Sequence, residues 1–151
     1  MRIEVVPTQP EHVQPLCDDI RTEDRIESLM YTMKPIKQAV ANAITASSQC
    51  FTVLVDEEPA VIFGVAPMPG NPQMGSVWLR SANRIKHCLL YVLKESPRYL
   101  HDFLKTYPGG LYALPMAEDN ALHLRWLRLV GFTPHHWIYQ NDTPFQVMSY
   151  V

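Results

Sequence analysis

Apolar positions at the start of the chain alternate, with Ile3 and Val5 on one face and Glu4 and Val6 on the other, predicting a strand that ends at Pro7. Thr8 can cap the next element, with Pro10 in its first turn and Glu11 three residues on, giving a helix to about Ile20 that is kinked or restarted at Pro15. From Arg21 to Lys34, Ile26, Leu29, Met30 and Met33 recur at helical spacing among charges, the apolar row of a second, amphipathic helix. Pro35 opens a third over the Ala-rich run Ile36 to Ala46, with Ile36, Val40, Ala43 and Ile44 on one side.

At Cys50 the period changes. Phe51 to Val55 and Ala60 to Ala66 are β-branched and aromatic runs joined by Asp56-Glu57-Glu58-Pro59, a hairpin. Pro67 to Gly75, with its prolines, glycines and Asn71, reads as loop, and Ser76 to Arg80 as a central strand with Val77 and Leu79 on one face and Trp78 on the other. Ala82 to Tyr107 carries a long helical pattern in which Ile85, Cys88, Leu89 and Val92 make an apolar face that Tyr99, Leu100, Phe103 and Leu104 resume. Pro97 predicts a kink there, or two helices with Ser96 capping the second.

Pro108-Gly109-Gly110 ends the helix, and Leu111 to Leu114 is a short strand. The stretch from Asn120 to Phe132, N-A-L-H-L-R-W-L-R-L-V-G-F, then has both helix ends marked: a capping Asn after Glu118 and Asp119, and Gly131 as the stop. Leu122, Trp126, Leu129 and Val130 form one apolar row and Leu124 and Leu127 a second beside it, so this helix is expected to be mostly buried. His135 to Tyr139 and Phe145 to Tyr150 are strands around a turn at Asn141 to Pro144.

Composition narrows the function classes. The 151 residues, 47% of them hydrophobic, fit one domain with an ordinary core, residues 1–151. A net charge of -2 lacks the Lys and Arg surplus of a dedicated nucleic-acid binder, leaving only a local basic patch as a possibility. No run is long enough for a membrane span and Met1 to Pro7 does not read as a signal peptide, so a cytosolic protein is expected. Cys17, Cys50 and Cys88 are odd in number and widely spaced, which predicts buried thiols in place of disulfides or a zinc site.

An Asn that opens a helix closing in Leu129-Val130-Gly131-Phe132, between two strands, resembles the C-terminal motif of the GNAT N-acetyltransferase superfamily. With His123-Leu124-Arg125-Trp126-Leu127 before it, the segment is similar to the GNAT-like proteins of short-tailed bacteriophages, the family of internal virion protein A. The motif supports the region from Ser76 to Val151, and the order of elements alone supports the rest. The resemblance implies an α/β fold: one GNAT domain with a mixed, twisted sheet of about seven strands, helices on both faces, and a splay between the fourth and fifth strands where acetyl-coenzyme A binds.

Two parts of that chemistry are missing from the sequence. The family's pyrophosphate loop, Arg/Gln-x-x-Gly-x-Gly/Ala, lets backbone N–H groups at a helix start approach the phosphates. Counted from Arg80, its glycine positions are Asn83 and Ile85; counted from Arg84, they are His87 and Leu89. The Tyr that serves many members as general acid corresponds to Leu127, which has no proton to give. If acetyl-coenzyme A binds at all, Arg80, Arg84 and Asn120 are the candidates to hold it, against plainer roles as ion-paired arginines and a helix cap.

Other residues offer less. His135 and His136 point to opposite faces of a strand, and His87 and His101 lie four helical turns apart, so neither pair shares a metal. Tyr139 or Tyr150 could replace the missing acid if the sheet brings one into the cleft. Arg125 and Arg128 mark the wet face of their helix or a partner surface. The leading expectation is a degenerate GNAT protein, without cofactor, made in a host cytoplasm and bound to phage virion or assembly proteins. The alternative is an acetyl-coenzyme A dependent N-acetyltransferase of a small amine or a protein amino group. A sensor that keeps the cleft without catalysis is the third reading. An open, amide-lined start to the helix after Arg80 favours the enzyme, and one plugged by Ile85 or Leu89 favours the scaffold.

Overall fold

The computed structural model describes residues 1–116 and 120–151. Seven strands form one mixed sheet in the order β1-β2-β3-β4-β5-β7-β6. They are β1 (Ile3–Pro7), β2 (Gln49–Val55), β3 (Glu58–Met68), β4 (Asn71–Ser81), β5 (Gly110–Ala113), β6 (Thr133–Gln140) and β7 (Thr143–Tyr150), with helices α1 (Val13–Asp18), α2 (Thr22–Thr32), α3 (Ile36–Ala46), α4 (Leu89–Thr106) and α5 (Ala121–Leu129). Among the described residues no helix is long and apolar enough to cross a membrane.

Strand alternation divides the interior in two. Val53, Val61, Val65, Val77 and Leu79 face α4 and α5, meeting Leu100, Phe103, Trp126 and Leu127 in the larger core. Ile62 faces the other way, onto Leu16, Cys17 and Val40 of α1 and α3. Cys17 and Cys88 are buried and Cys50 is half-buried, all three free, and burial pushes the Cys88 thiol up to about 11.

Several expected boundaries move. Pro67 to Gly75 is not a loop: β3 and β4 stay paired through Ala66↔Ser76 and Pro67↔Gly75 to Met68↔Asn71, with an irregularity at Pro67/Met68. Only Pro69-Gly70 turns, with Gly70 at φ 79°. Gly75 belongs in the strand because Tyr107 lies against it; a Cβ there would sit 2.7 Å from the Tyr107 ring. The turn between β2 and β3 is likewise two residues, Asp56 and Glu57, both at positive φ as a tight hairpin requires.

Thr8 caps nothing; its hydroxyl meets that of Thr52, and a 3-10 turn over Pro10–His12, boxed by Gln9 and His12, precedes α1. Pro15 then falls in the first turn of α1, where its missing N–H costs nothing. In the long helical stretch the break comes at Cys88, between a 3-10 segment (Asn83–His87) and α4, and not at Pro97. Ser96 is no cap either: its hydroxyl donates to the Val92 carbonyl and accepts from Trp126 Nε1, tying the proline turn into the core.

The feature that shapes the site is the join of β4 and β5. These parallel strands pair only from Met74↔Gly110 to Ser76↔Tyr112. Beyond Ser76, β4 continues to Ser81 paired with β3 but not with β5, and the sheet splays there.

Candidate functional site

Helix α2 lies across the splay, turned the opposite way from its hydrophobic pattern. Asp24, Glu27 and Ser28 are 0%, 1% and 2% exposed, whereas Ile26, Leu29 and Met33 are 39%, 43% and 63% exposed. The polar row at spacing three and four is the inner face, because the unpaired edge of β4 and the start of α5 offer donors that apolar side chains could not satisfy.

Backbone geometry fixes which β4 groups need partners. Ala82 N–H bonds the Ala60 carbonyl on the β3 side, so the N–H and C=O of Ser81 turn toward the splay. Asp24 Oδ2 accepts from Ser81 N–H at 2.7 Å and from the Ser81 hydroxyl at 2.5 Å, and Arg21 N–H donates to the Ser81 carbonyl at 3.0 Å. Glu27 spans the gap. Its Oε1 accepts from Arg80 Nη1 at 2.9 Å and meets His123 Nδ1 at 2.9 Å, and its Oε2 accepts from Met116 N–H at 3.1 Å on the chain leaving β5.

Asn120 ties the two carboxylates together. Its amide donates to Asp24 at 2.7 Å and to Glu27 at 3.0 Å, while its carbonyl accepts from Arg21 at 3.3 Å. Among the described residues no buried side-chain N or O atom lacks a partner, so this lock is fully satisfied.

The electrostatics make Glu27 a poor catalyst. Burial alone would raise its pKa, but the charge and hydrogen bond of His123, then Arg80 and the Met116 N–H, outweigh burial and hold it at about 2. A general base works best with a pKa near the operating pH and a lone pair free for the incoming proton. Glu27 has neither, since four donors occupy its oxygens.

Two of the three residues proposed from sequence meet here. Arg80 and Asn120 share Glu27, while Arg84 stays apart, bonded to the Pro59 carbonyl and paired with Asp19 at 3.5 Å. Asn120 occupies the N-cap position of α5 without capping it, so the plain helix-cap role is corrected: its side chain is spent on Asp24, Glu27 and Arg21. Leu127 is fully buried in the larger core. In α5 only His123, Trp126 and Leu127 are buried; Leu129 is 66% exposed, correcting the apolar row assigned to it, and Arg125 and Arg128 lie on the wet face.

Neither Tyr139, exposed on the edge strand β6, nor Tyr150, packed on Phe132 at 5.4 Å, lies among the residues lining the splay. His135 and His136 are both exposed on β6. Asp24, Glu27, His123 and Tyr31 were missed, because their row on α2 is polar and His123 sits inside an apolar run. The spacing of Asp24, Glu27, Ser28 and Tyr31 was the available signal. Glu118 and Asp119, read as acidic flanks of the α5 start, lie outside the described residues.

The 3-10 segment after β4 offers a coenzyme A pyrophosphate few free N–H groups, whereas the first turn of α4 borders a separate, open pocket of about 380 Å³ lined by Lys86, His87, Cys88, Leu89, Leu90 and Tyr91. N–H groups of Ala82, Asn83, Ile85 and Cys88 are taken by the carbonyls of Ala60, Asp19, Ala82 and Ile85. Ile85 is buried, and with Leu89, Leu122 and Trp126 it leaves a gap of only about 20 Å³. On the opposite face the space is larger. A pocket of about 80 Å³ within the splay, bounded by Glu27, Arg80 and His123, shares Tyr31, Trp78 and Arg80 with a cleft of about 420 Å³ under α2 and α3.

Solved structures share this architecture across the whole chain. AAC(6')-Ib in complex with ribostamycin and coenzyme A is 13% identical, with a TM-score of 0.70 over 100% of this chain and 94% of that one. The ribosomal-protein-S5-alanine acetyltransferase from Vibrio fischeri is 10% identical, with a TM-score of 0.68 over 100% and 93%. An acetyltransferase of the GNAT family from Bacillus anthracis is 10% identical, with a TM-score of 0.65 over 99% and 93%. No family model matches the chain, and no curated protein does. The fold is therefore that of the GNAT acetyltransferases.

Proposed function

We propose that this GNAT-fold chain works by binding other molecules and not by acetyl transfer, with α2 closing the splay that an acetyltransferase would keep open. The observation that carries the reading is the Asp24 carboxylate on the Ser81 N–H, with Arg21 N–H on the Ser81 carbonyl: the end of β4 at the splay already has its partners. The committed N–H groups of the 3-10 segment after β4, the buried Leu127 and the acid-range pKa of Glu27 point the same way.

The helix that closes the splay also turns Ile26, Leu29 and Met33 outward, and exposed apolar side chains grouped on one face suit a protein partner. The short motif in α5 directs the search for that partner to phage virion or assembly proteins; the comparisons add nothing to that narrower assignment.

A second reading has its own support. The solved neighbours are acetyltransferases, one of them with coenzyme A bound, and this favours an acetyl-coenzyme A dependent N-acetyltransferase with an atypical loop. Calorimetric titration with acetyl-coenzyme A, beside a thermal shift at millimolar cofactor, separates the two. Any ligand specific for the native state raises stability by about 2.7 kcal/mol at a hundredfold excess over Kd. The proposal expects no heat and no shift; saturable binding would replace it with the enzyme.

A further inference from the structure

The cleft under α2 and α3 has a chemistry unlike that of a site for an amine. At about 420 Å³ it is within the range of small-molecule pockets, roughly 300–1,000 Å³. Its walls are largely Ala39, Val40, Ala43 and Ala66 with the Trp78 ring, and no residue lining it is an Asp or Glu. The charged groups at its margins are both cations, Lys34 and Arg80.

Both cations have capacity to spare. Lys34 is exposed and has no ion-pair partner among the described residues. Arg80 uses Nη1 on Glu27 and on the Leu79 carbonyl, and its Nε and Nη2 take no partner among the described residues. Since no buried nitrogen there is left unpartnered, those two donors have access to the water of the cavities that Arg80 lines.

We infer that this cleft binds a small monoanion, a carboxylate on an apolar body, with the head group toward Arg80 and Lys34 and the body along the alanine wall of α3. The inference rests on the closed-splay reading, because the Glu27 carboxylate paired with Arg80 is held by its four donors only while the lock holds. A planar carboxylate suits the guanidinium, which presents paired donors, and the apolar walls favour a hydrocarbon body over a second charge. An ammonium head would meet the unpaired Lys34 and a guanidinium already paired with Glu27, and no acid in the lining would receive it.

Octanoate, 1-octanol and octylamine carry one apolar body with three heads, and titrating each into the purified chain by calorimetry and thermal shift tests the assignment. Octanoate is expected to bind about tenfold or more tighter than octylamine, with octanol between them. Lys34→Gln, an exposed change, should weaken octanoate by up to about fivefold and leave octanol unaffected. Ala43→Leu and Ala46→Leu, each filling the cleft from α3, should abolish octanoate binding. Equal binding of octylamine, no octanoate binding at millimolar concentration, or full binding in both leucine variants with unchanged melting temperatures would overturn the inference. Acetyl-coenzyme A titrated into the same sample reports on the closed splay separately: its binding would fail that reading, while the order of the three octyl probes decides the head-group preference.

Discussion

Between β3 and β4 the sheet is held by eight paired positions, from Val61↔Ser81 to Met68↔Asn71, and between β4 and β5 by three. The first region is closed by backbone ladders with apolar side chains stacked on both faces. The second has no ladder to continue, and a helix from elsewhere in the chain supplies carboxylates where strand carbonyls would have been. Val61 and Glu27 are equally buried, yet they stabilise by different physics. Hydrophobic burial is non-directional and forgives small changes of shape. The lock is directional, and removing one member strands all of its partners.

This contrast orders the expected effects. Glu27→Ala should be the most damaging, leaving Arg80, His123, Asn120 and the Met116 N–H without their acceptor. Loss of one partner from a buried charged cluster costs about 3–5 kcal/mol, which urea unfolding would read directly. Acid should act next, on the same residue. Its folded pKa of about 2 lies below the ordinary 4.5, so its contribution is complete above the ordinary value and is lost as pH falls from there toward 2. That loss is on the order of 3 kcal/mol, and stability against pH should flatten over this window in Glu27→Ala. Ile62→Val, in the smaller apolar core, should cost the least, about 0.5–1.5 kcal/mol, with no change in the acid limb.

The same contrast explains how much could be read from sequence. Apolar regions follow periodicity, so α3, the hairpin of β2 and β3, the Val77 and Leu79 face of β4 and the α5 motif were all legible. Helix α2 was legible as a helix and illegible in orientation. Its apolar residues Ile26, Leu29 and Met33 form the stronger pattern, yet the pairing needs of Ser81, Met116 and Asn120, all far away in sequence, decide which face goes inside. Pro67 to Gly75 failed for a related reason. Local turn chemistry predicted a loop, but pairing with β3 and the Tyr107 ring over Gly75 hold that stretch in a strand.

Arg80 and Asn120, named from sequence as residues to hold a cofactor, meet at Glu27, and Arg84, named beside them, belongs to a different contact, with Pro59 and Asp19. Asp24 and Glu27 carry only the weak signal of a polar row at helical spacing, and His123 stands in the α5 motif without any sign of its partner. Which row of an amphipathic helix is buried is decided by partners far away in sequence, here Ser81, Met116 and Asn120.

Native-state amide exchange at Ser81 and Met116 tests the closed splay most directly, since both N–H groups are held by carboxylates of α2 and by no strand. The account predicts that both exchange as slowly as Val61 and Val77 in the paired sheet, through global unfolding alone. Fast exchange at both, with Val61 and Val77 still protected, would show that α2 leaves the splay open and would contradict the lock.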